Sequence, residues 1–130
     1  MIAVDTNVLV RLLANDDPTQ SPRAAALFAA EEVFIAKSVL LETEWVLRFS
    51  YDVPREVIGA AFDRLASSAS VTVEDARAIR AALHAHGAGM DFADALHVAS
   101  GHGAARFVTF DKKLAGQALR AKVGLPVDTL

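Results

Sequence analysis

Short apolar runs alternating with helix-like stretches constrain this chain most. Met1–Val4, Val33–Ala36, Val71–Val73 and Phe107–Thr109 each hold three or four residues, and each leads into a longer stretch of helical character. After Met1–Val4, for example, Val8, Leu9, Leu12 and Leu13 recur at helical spacing. Strands that short, separated by helices, belong in a parallel sheet covered on both faces. The expected class is therefore α/β, with a short, mostly parallel central sheet and helices on both sides.

The remaining boundaries follow from local signals. Asp5-Thr6-Asn7 reads as a tight turn into the first helix, which Asp16-Asp17-Pro18 closes. Ser21 and Pro22 predict the cap and first turn of an alanine-rich helix reaching about Ala30. Further helices are expected over Ser38–Ser50, from near Pro54, and over Glu74–His86. Another covers Met90–Gly101 after the Gly87-Ala88-Gly89 loop, with Asp91 and Asp94 in its first turn, and a Lys-rich one follows Asp111. Leu125–Asp128 is a candidate fifth, edge strand.

The 130 residues suit one domain, 1–130, able to bury a substantial core. A hydrophobic share of 53% and a mean hydropathy of +0.31 point to a further buried surface, a dimer seam or a partner groove. No apolar run reaches a membrane span, no leader pattern opens the chain, and there is no cysteine. The cytoplasm is the expected compartment. A net charge of −3 argues mildly against a general nucleic-acid binder.

Acids stand where strands end. Ligands gather beyond the carboxyl ends of parallel strands, and Asp5 directly follows the first run while Asp111 lies two residues past Thr109. Taken singly, a local role accounts for each: Asp5 or Thr6 as the cap of the next helix, and Asp111 as a cap or the start of a turn. Asp91 and Asp94 lie on neighbouring parts of one helix surface, where free N–H groups and the helix dipole also favour acids.

The helix from Ser38 holds two glutamates. At about 100° per residue, Glu42 falls among Trp45, Val46 and Phe49, so an acid on a packed face is expected there. Such an acid must be neutralised, hydrogen-bonded or metal-bound. Glu44 pairs with Arg48 one turn on and reads as the solvated charge. If Asp5, Glu42, Asp94 and Asp111 meet at one end of the sheet, their mutual repulsion calls for a hard divalent cation such as Mg²⁺ or Mn²⁺. The chemistry most often built on such an ion is phosphodiester hydrolysis.

Ala3-Val4-Asp5-Thr6-Asn7, Leu41-Glu42-Thr43-Glu44-Trp45-Val46-Leu47, Asp91-Phe92-Ala93-Asp94-Ala95-Leu96 and Val108-Thr109-Phe110-Asp111-Lys112-Lys113 together resemble the PIN-domain ribonucleases, and more narrowly the VapC-like toxins of bacterial toxin–antitoxin pairs. The resemblance spans the whole chain and implies a three-layer PIN-like sandwich. It places the four acids of that site on Asp5, Glu42, Asp94 and Asp111. It implies a Mg²⁺- or Mn²⁺-dependent endoribonuclease in which Asp5, Asp94 and Asp111 hold the metal. Glu42 would orient water or bind a second ion, and Thr6, Asn7 and Thr109 would brace the acids or contact phosphate. Asp91 is an extra acid, an outer helper or a helix cap. The bound metal would answer the objection from net acidity.

Arg11, Arg48, Lys37, Lys112 and Lys113 lie near these motifs and could guide RNA, or be solvated surface charge. The resemblance also implies a homodimer and an antitoxin partner whose amphipathic segment covers the site. Trp45, Phe49, Tyr51 and Phe28 are candidates for that groove, although core packing is the expectation for Trp45 and Phe49.

Two other readings compete. A receiver or phosphatase-like phosphotransfer domain also places an aspartate after its first strand. Here the required neighbouring acid is missing, because Thr6 and Asn7 follow Asp5. A non-catalytic binding module of the same fold would have no need to confine four acids. The histidines add no zinc site: His84 and His86 diverge on a helix, His97 is a surface or outer residue, and His102 reads as loop.

Overall fold

A computed structural model describes residues 1–130. It is a helix-rich α/β fold with short parallel sheets and seven helices, consistent with the PIN-like architecture that the resemblance implies. The chain divides into two compact units, Met1–Glu74 and Asp75–Leu130.

The first unit runs β1 (Ile2–Ala3), α1 (Thr6–Ala14), α2 (Gln20–Ala30), β2 (Val33–Ile35), α3 (Lys37–Phe49), α4 (Arg55–Ser67) and β3 (Val71–Val73). Its strands pair in the order β1-β2-β3, all parallel, with Ile2 opposite Val33 and Val33 opposite Val71. Parallel neighbours need long crossovers, and the helix pairs α1–α2 and α3–α4 supply them. Val33 and Ile35 are fully buried, as are Leu9, Leu40, Ile58 and Phe62. That is the mark of a central strand enclosed by helices.

Two expectations about this unit need correction. The cap of α2 is not Ser21. Asp17 Oδ1 accepts the N–H groups of Thr19 (2.9 Å) and Gln20 (2.7 Å), so the helix starts at Gln20 and Ser21 is buried inside its first turn. The two backbone donors hold the Asp17 carboxyl below the usual carboxylate range.

The second correction concerns α3. Its buried residues are Leu40, Thr43, Glu44 and Leu47, whereas Trp45 and Phe49 are 55% and 60% exposed. The helix is thus turned the other way from the expectation that buried Trp45 and Phe49. Its sequence carries two stripes at helical spacing, each holding one glutamate, and the leucine stripe is the one enclosed. The polar members of that stripe are satisfied locally. Thr43 donates its hydroxyl to the Val39 carbonyl (2.7 Å), and Glu44 accepts from Arg48 at 2.7 and 3.2 Å.

The second unit runs α5 (Ala76–Gly87), α6 (Phe92–Ser100), β4 (Phe107–Thr109), α7 (Lys112–Ala121) and β5 (Val127–Thr129). The helices α5 and α6 pack closely, with Ala78, Ala82 and Ala85 on one and Ala95 and Ala99 on the other all buried. Side chains that small let two helix backbones approach. The strands β4 and β5 form a separate two-stranded parallel sheet, Phe107 opposite Val127 and Thr109 opposite Thr129, joined by α7. The last strand starts at Val127 rather than Leu125, because Pro126 has no N–H for the ladder. Its carbonyl still accepts from Phe107 (2.8 Å). No helix is long and apolar enough to cross a membrane.

Candidate active site

In the first unit the first candidate acid stands where β1 ends. Val4 is buried and Asp5 turns the chain into α1 as its N-cap, Oδ1 accepting the Thr6 N–H at 2.8 Å. Thr6 is 5% exposed, and its hydroxyl donates to Oε1 of Glu42 on α3. One buried threonine therefore binds both acids, Asp5 through its backbone and Glu42 through its side chain. Glu42 lies on the exposed stripe of α3 rather than on a packed face. Glu44, expected to be the solvated acid, is the buried one at 2% exposure, with the Arg48 guanidinium as its counter-ion. Asn7 is exposed on the first turn of α1.

In the second unit the carboxylates gather around the start of α6. Asp91 is the N-cap, its Oδ1 accepting the Asp94 N–H at 3.0 Å, so of the two alternatives for this acid the structure shows the cap. Asp94, half-buried in the first turn, is held above its ordinary pKa range. The causes are its partial burial first, then the negative charges of Asp91 and Asp111, with His97 opposing them. Asp111 caps α7, its Oδ1 accepting from Lys113 (2.9 Å) and Leu114 (3.1 Å). Thr109 accepts the Asp111 N–H on its hydroxyl at 3.0 Å, fixing the turn that presents this acid.

Capping and ligand chemistry are thus not rivals here. Asp5 and Asp111 each spend one carboxylate oxygen on a helix N-terminus and keep the other, since an ionised carboxyl has about four lone-pair sites. No group of three or more His, Asp or Glu side chains is disposed as a ready metal cage. The donor chemistry nonetheless suits a hard dication. Every acid is an oxygen donor, and Asp94 carries a repulsion from Asp91 and Asp111 that a cation relieves.

The nearby cations are largely engaged. Arg11 donates to Gln20 (2.8 Å), Tyr51 (2.9 Å) and Asp16 (3.3 Å), while Arg48 is bound to Glu44 and lies 4.4 Å from the Phe49 ring centre. Lys112 and Lys113 are exposed. His86 is buried against Phe92, and His84 and His97 are exposed. His102 pairs with Asp75 at 2.9 Å, a partnership between residues 27 apart that sequence spacing does not announce.

No curated protein and no solved structure matches this chain. The PIN domain model, by contrast, matches residues 2–118, a span that includes Asp5, Glu42, Asp94 and Asp111. On that match the chain belongs to the PIN domain family, whose members are in general metal-dependent nucleases.

Proposed function

We propose that this protein is a Mg²⁺- or Mn²⁺-dependent endoribonuclease that acts as the toxin of a toxin–antitoxin pair. The observation that carries the reading is the placement of Asp94 on the first turn of α6, close to Asp91 and Asp111. A half-buried carboxyl beside Asp91 and Asp111, with only His97 in opposition, is costly for a scaffold and useful for a metal-dependent enzyme. Asp5, Asp94 and Asp111 are assigned as metal ligands. When bound, the ion polarises phosphate oxygens and makes a bound water more acidic. Glu42, held by the Thr6 hydroxyl, is assigned to orient the attacking water and accept its proton, or to bind a second ion. Thr6 and Thr109 brace Glu42 and Asp111 respectively, and Asn7 is assigned to phosphate.

The partner side of the proposal is a cognate antitoxin and a homodimer. Trp45 and Phe49 stand exposed on α3 with ring centres 5.1 Å apart, so their apolar area is open to a second chain. Tyr51 and Phe28 are half-buried, and the Tyr51 hydroxyl already accepts from Arg11.

The test is RNA cleavage with added Mg²⁺ or Mn²⁺ by the wild type, Asp5→Asn and Asp94→Asn. Both variants are expected to lose cleavage while remaining folded. Undiminished activity in both rejects the metal assignment. Sequencing RNA ends after induced expression then identifies the target.

A further inference from the structure

We propose that the cleft between α1 and α2 is a nucleotide subsite, which seats one nucleotide of a single-stranded RNA beside the catalytic acids. The inference rests on the ribonuclease reading for the identity of the chain bound, and on the cleft itself for the chemistry of binding.

The cleft lies wholly within the first unit and has a volume of about 350 Å³. That is at the lower end of the roughly 300–1,000 Å³ typical of small-ligand sites, room for one nucleotide rather than several. Its lining falls into three parts. Val8, Ala24 and Leu27 make an apolar surface against which the face of a base can lie. Gln20 adds an amide N–H₂ that can donate to a base edge, and Asn7 adds an amide on the side of the catalytic acids, where it meets phosphate. Arg11 and Arg23 add two guanidinium groups, the side chain best matched to phosphate.

The two arginines are prepared differently. Arg11 is fixed through Nε and Nη1 by Gln20, Tyr51 and Asp16, which leaves Nη2 for a ligand. Arg23 is exposed on α2 and makes no hydrogen bond or ion pair, a cation at the rim with its donors uncommitted. Gln20 uses its carbonyl oxygen to hold Arg11, so its amide N–H₂ remains available to a base.

Position favours RNA over a peptide. Asn7, which lines the cleft, directly follows Thr6, whose hydroxyl holds Glu42. A strand with its scissile phosphate at Glu42 and Asp5 would reach the cleft within a nucleotide or two, because two residues of helix rise only about 3 Å. An acidic peptide could also satisfy two arginines, but the Gln20 amide beside an apolar floor matches the edge and face of a heterocycle better.

The probes are adenosine and uridine 5′-monophosphates, which contain no bond for the enzyme to cut, with the parent nucleosides and inorganic phosphate as comparisons. Backbone amide signals of Ala24 and Leu27 are expected to shift on titration with the monophosphates, and less with either half alone. In Arg23→Glu the shifts should require at least tenfold more ligand. In cleavage assays on a short single-stranded RNA, Arg23→Ala should raise KM and lower the slope of log KM against log salt by about 0.7, one phosphate contact on a single strand. Arg64→Ala, an exposed arginine on α4, should change neither.

Absence of shifts at millimolar nucleotide, or equal shifts in wild type and Arg23→Glu, overturns the subsite even if RNA is cleaved. Shifts from an acidic amphipathic peptide but not from nucleotides overturn it in favour of a protein ligand. Nucleotide shifts without RNA cleavage leave the subsite standing and remove the nuclease reading instead.

Discussion

The hydroxyl of Thr6 donates to the carboxylate of Glu42, linking the first turn of α1 to the exposed stripe of α3 across 36 residues of sequence. The same threonine gives its backbone N–H to Asp5. Thr6 is buried, and its bond holds in place the carboxylate of an otherwise exposed glutamate.

Replacing Thr6 by valine keeps the shape and removes the donor. The expected cost in stability is about 1 kcal/mol, from denaturant unfolding, because a buried partner is lost while Glu42 can turn to solvent. Cleavage should fall by more than that loss explains, through kcat rather than KM, and Thr6→Ser should restore it. Equal activity in Thr6→Val and wild type would show that Glu42 needs no such restraint.

The two glutamates of α3 should separate under the same chemical change. Glu44→Gln, or Arg48→Ala, disturbs an ion pair in which Glu44 is buried and Arg48 half-buried, and stranding Glu44 without its guanidinium is expected to cost about 1–3 kcal/mol. Glu42→Gln should leave the melting temperature within a degree or two and abolish cleavage. Thermal unfolding beside a cleavage assay reads both.

Asp94 makes a prediction about pH. Its folded pKa is raised, so the folded state holds that proton more tightly than the unfolded chain does. Below the unfolded value, about 3.9 for an aspartate, the group costs nothing. As pH rises past that value the unfolded state ionises first and stability declines, until the folded carboxyl ionises too. Above that point the penalty is constant. Asp94→Asn should therefore melt higher than wild type at pH 7 and at the same temperature near pH 3. Added Mg²⁺ or Mn²⁺ should raise the wild-type melting temperature and leave that of the variant nearly unchanged.

Asp17 has the opposite sign. Its pKa is lowered by the Thr19 and Gln20 N–H groups, so its stabilisation is present above the unfolded value and disappears as pH falls through the lower folded one. Asp17→Ala should destabilise at pH 7 and lose that difference in strong acid, followed by circular dichroism.

The exposed pair on α3 tests the partner. Trp45→Ala with Phe49→Ala should cost about 1–2 kcal/mol, from the ring contact, the Arg48 contact with Phe49 and the minor part of each ring that is buried. The double variant should fail to capture the product of the neighbouring open reading frame on co-expression, or run as a monomer where the wild type is a dimer. A variant that keeps both properties removes α3 from the interface.

Local signals suffice for much of this protein. The strands at Val71–Val73 and Phe107–Thr109 are readable to the residue, because short apolar runs before helical stretches have few other uses. The capping roles open to Asp5, Asp91 and Asp111 are likewise local, since a helix N-terminus needs an acceptor at its own cap. What periodicity leaves open is which of two stripes on a helix meets the core. On α3 the aromatic stripe has the greater apolar area, yet the Leu40–Leu47 stripe is enclosed, with Glu44 neutralised by Arg48. That choice depends on the neighbours packed against the helix, and it sets Glu42 and Trp45 on the open side. The bond from Thr6 to Glu42 is of the same kind. Partners so distant in the chain meet only because parallel strands and their crossovers bring the start of α1 beside α3, and no spacing rule within either segment contains that fact.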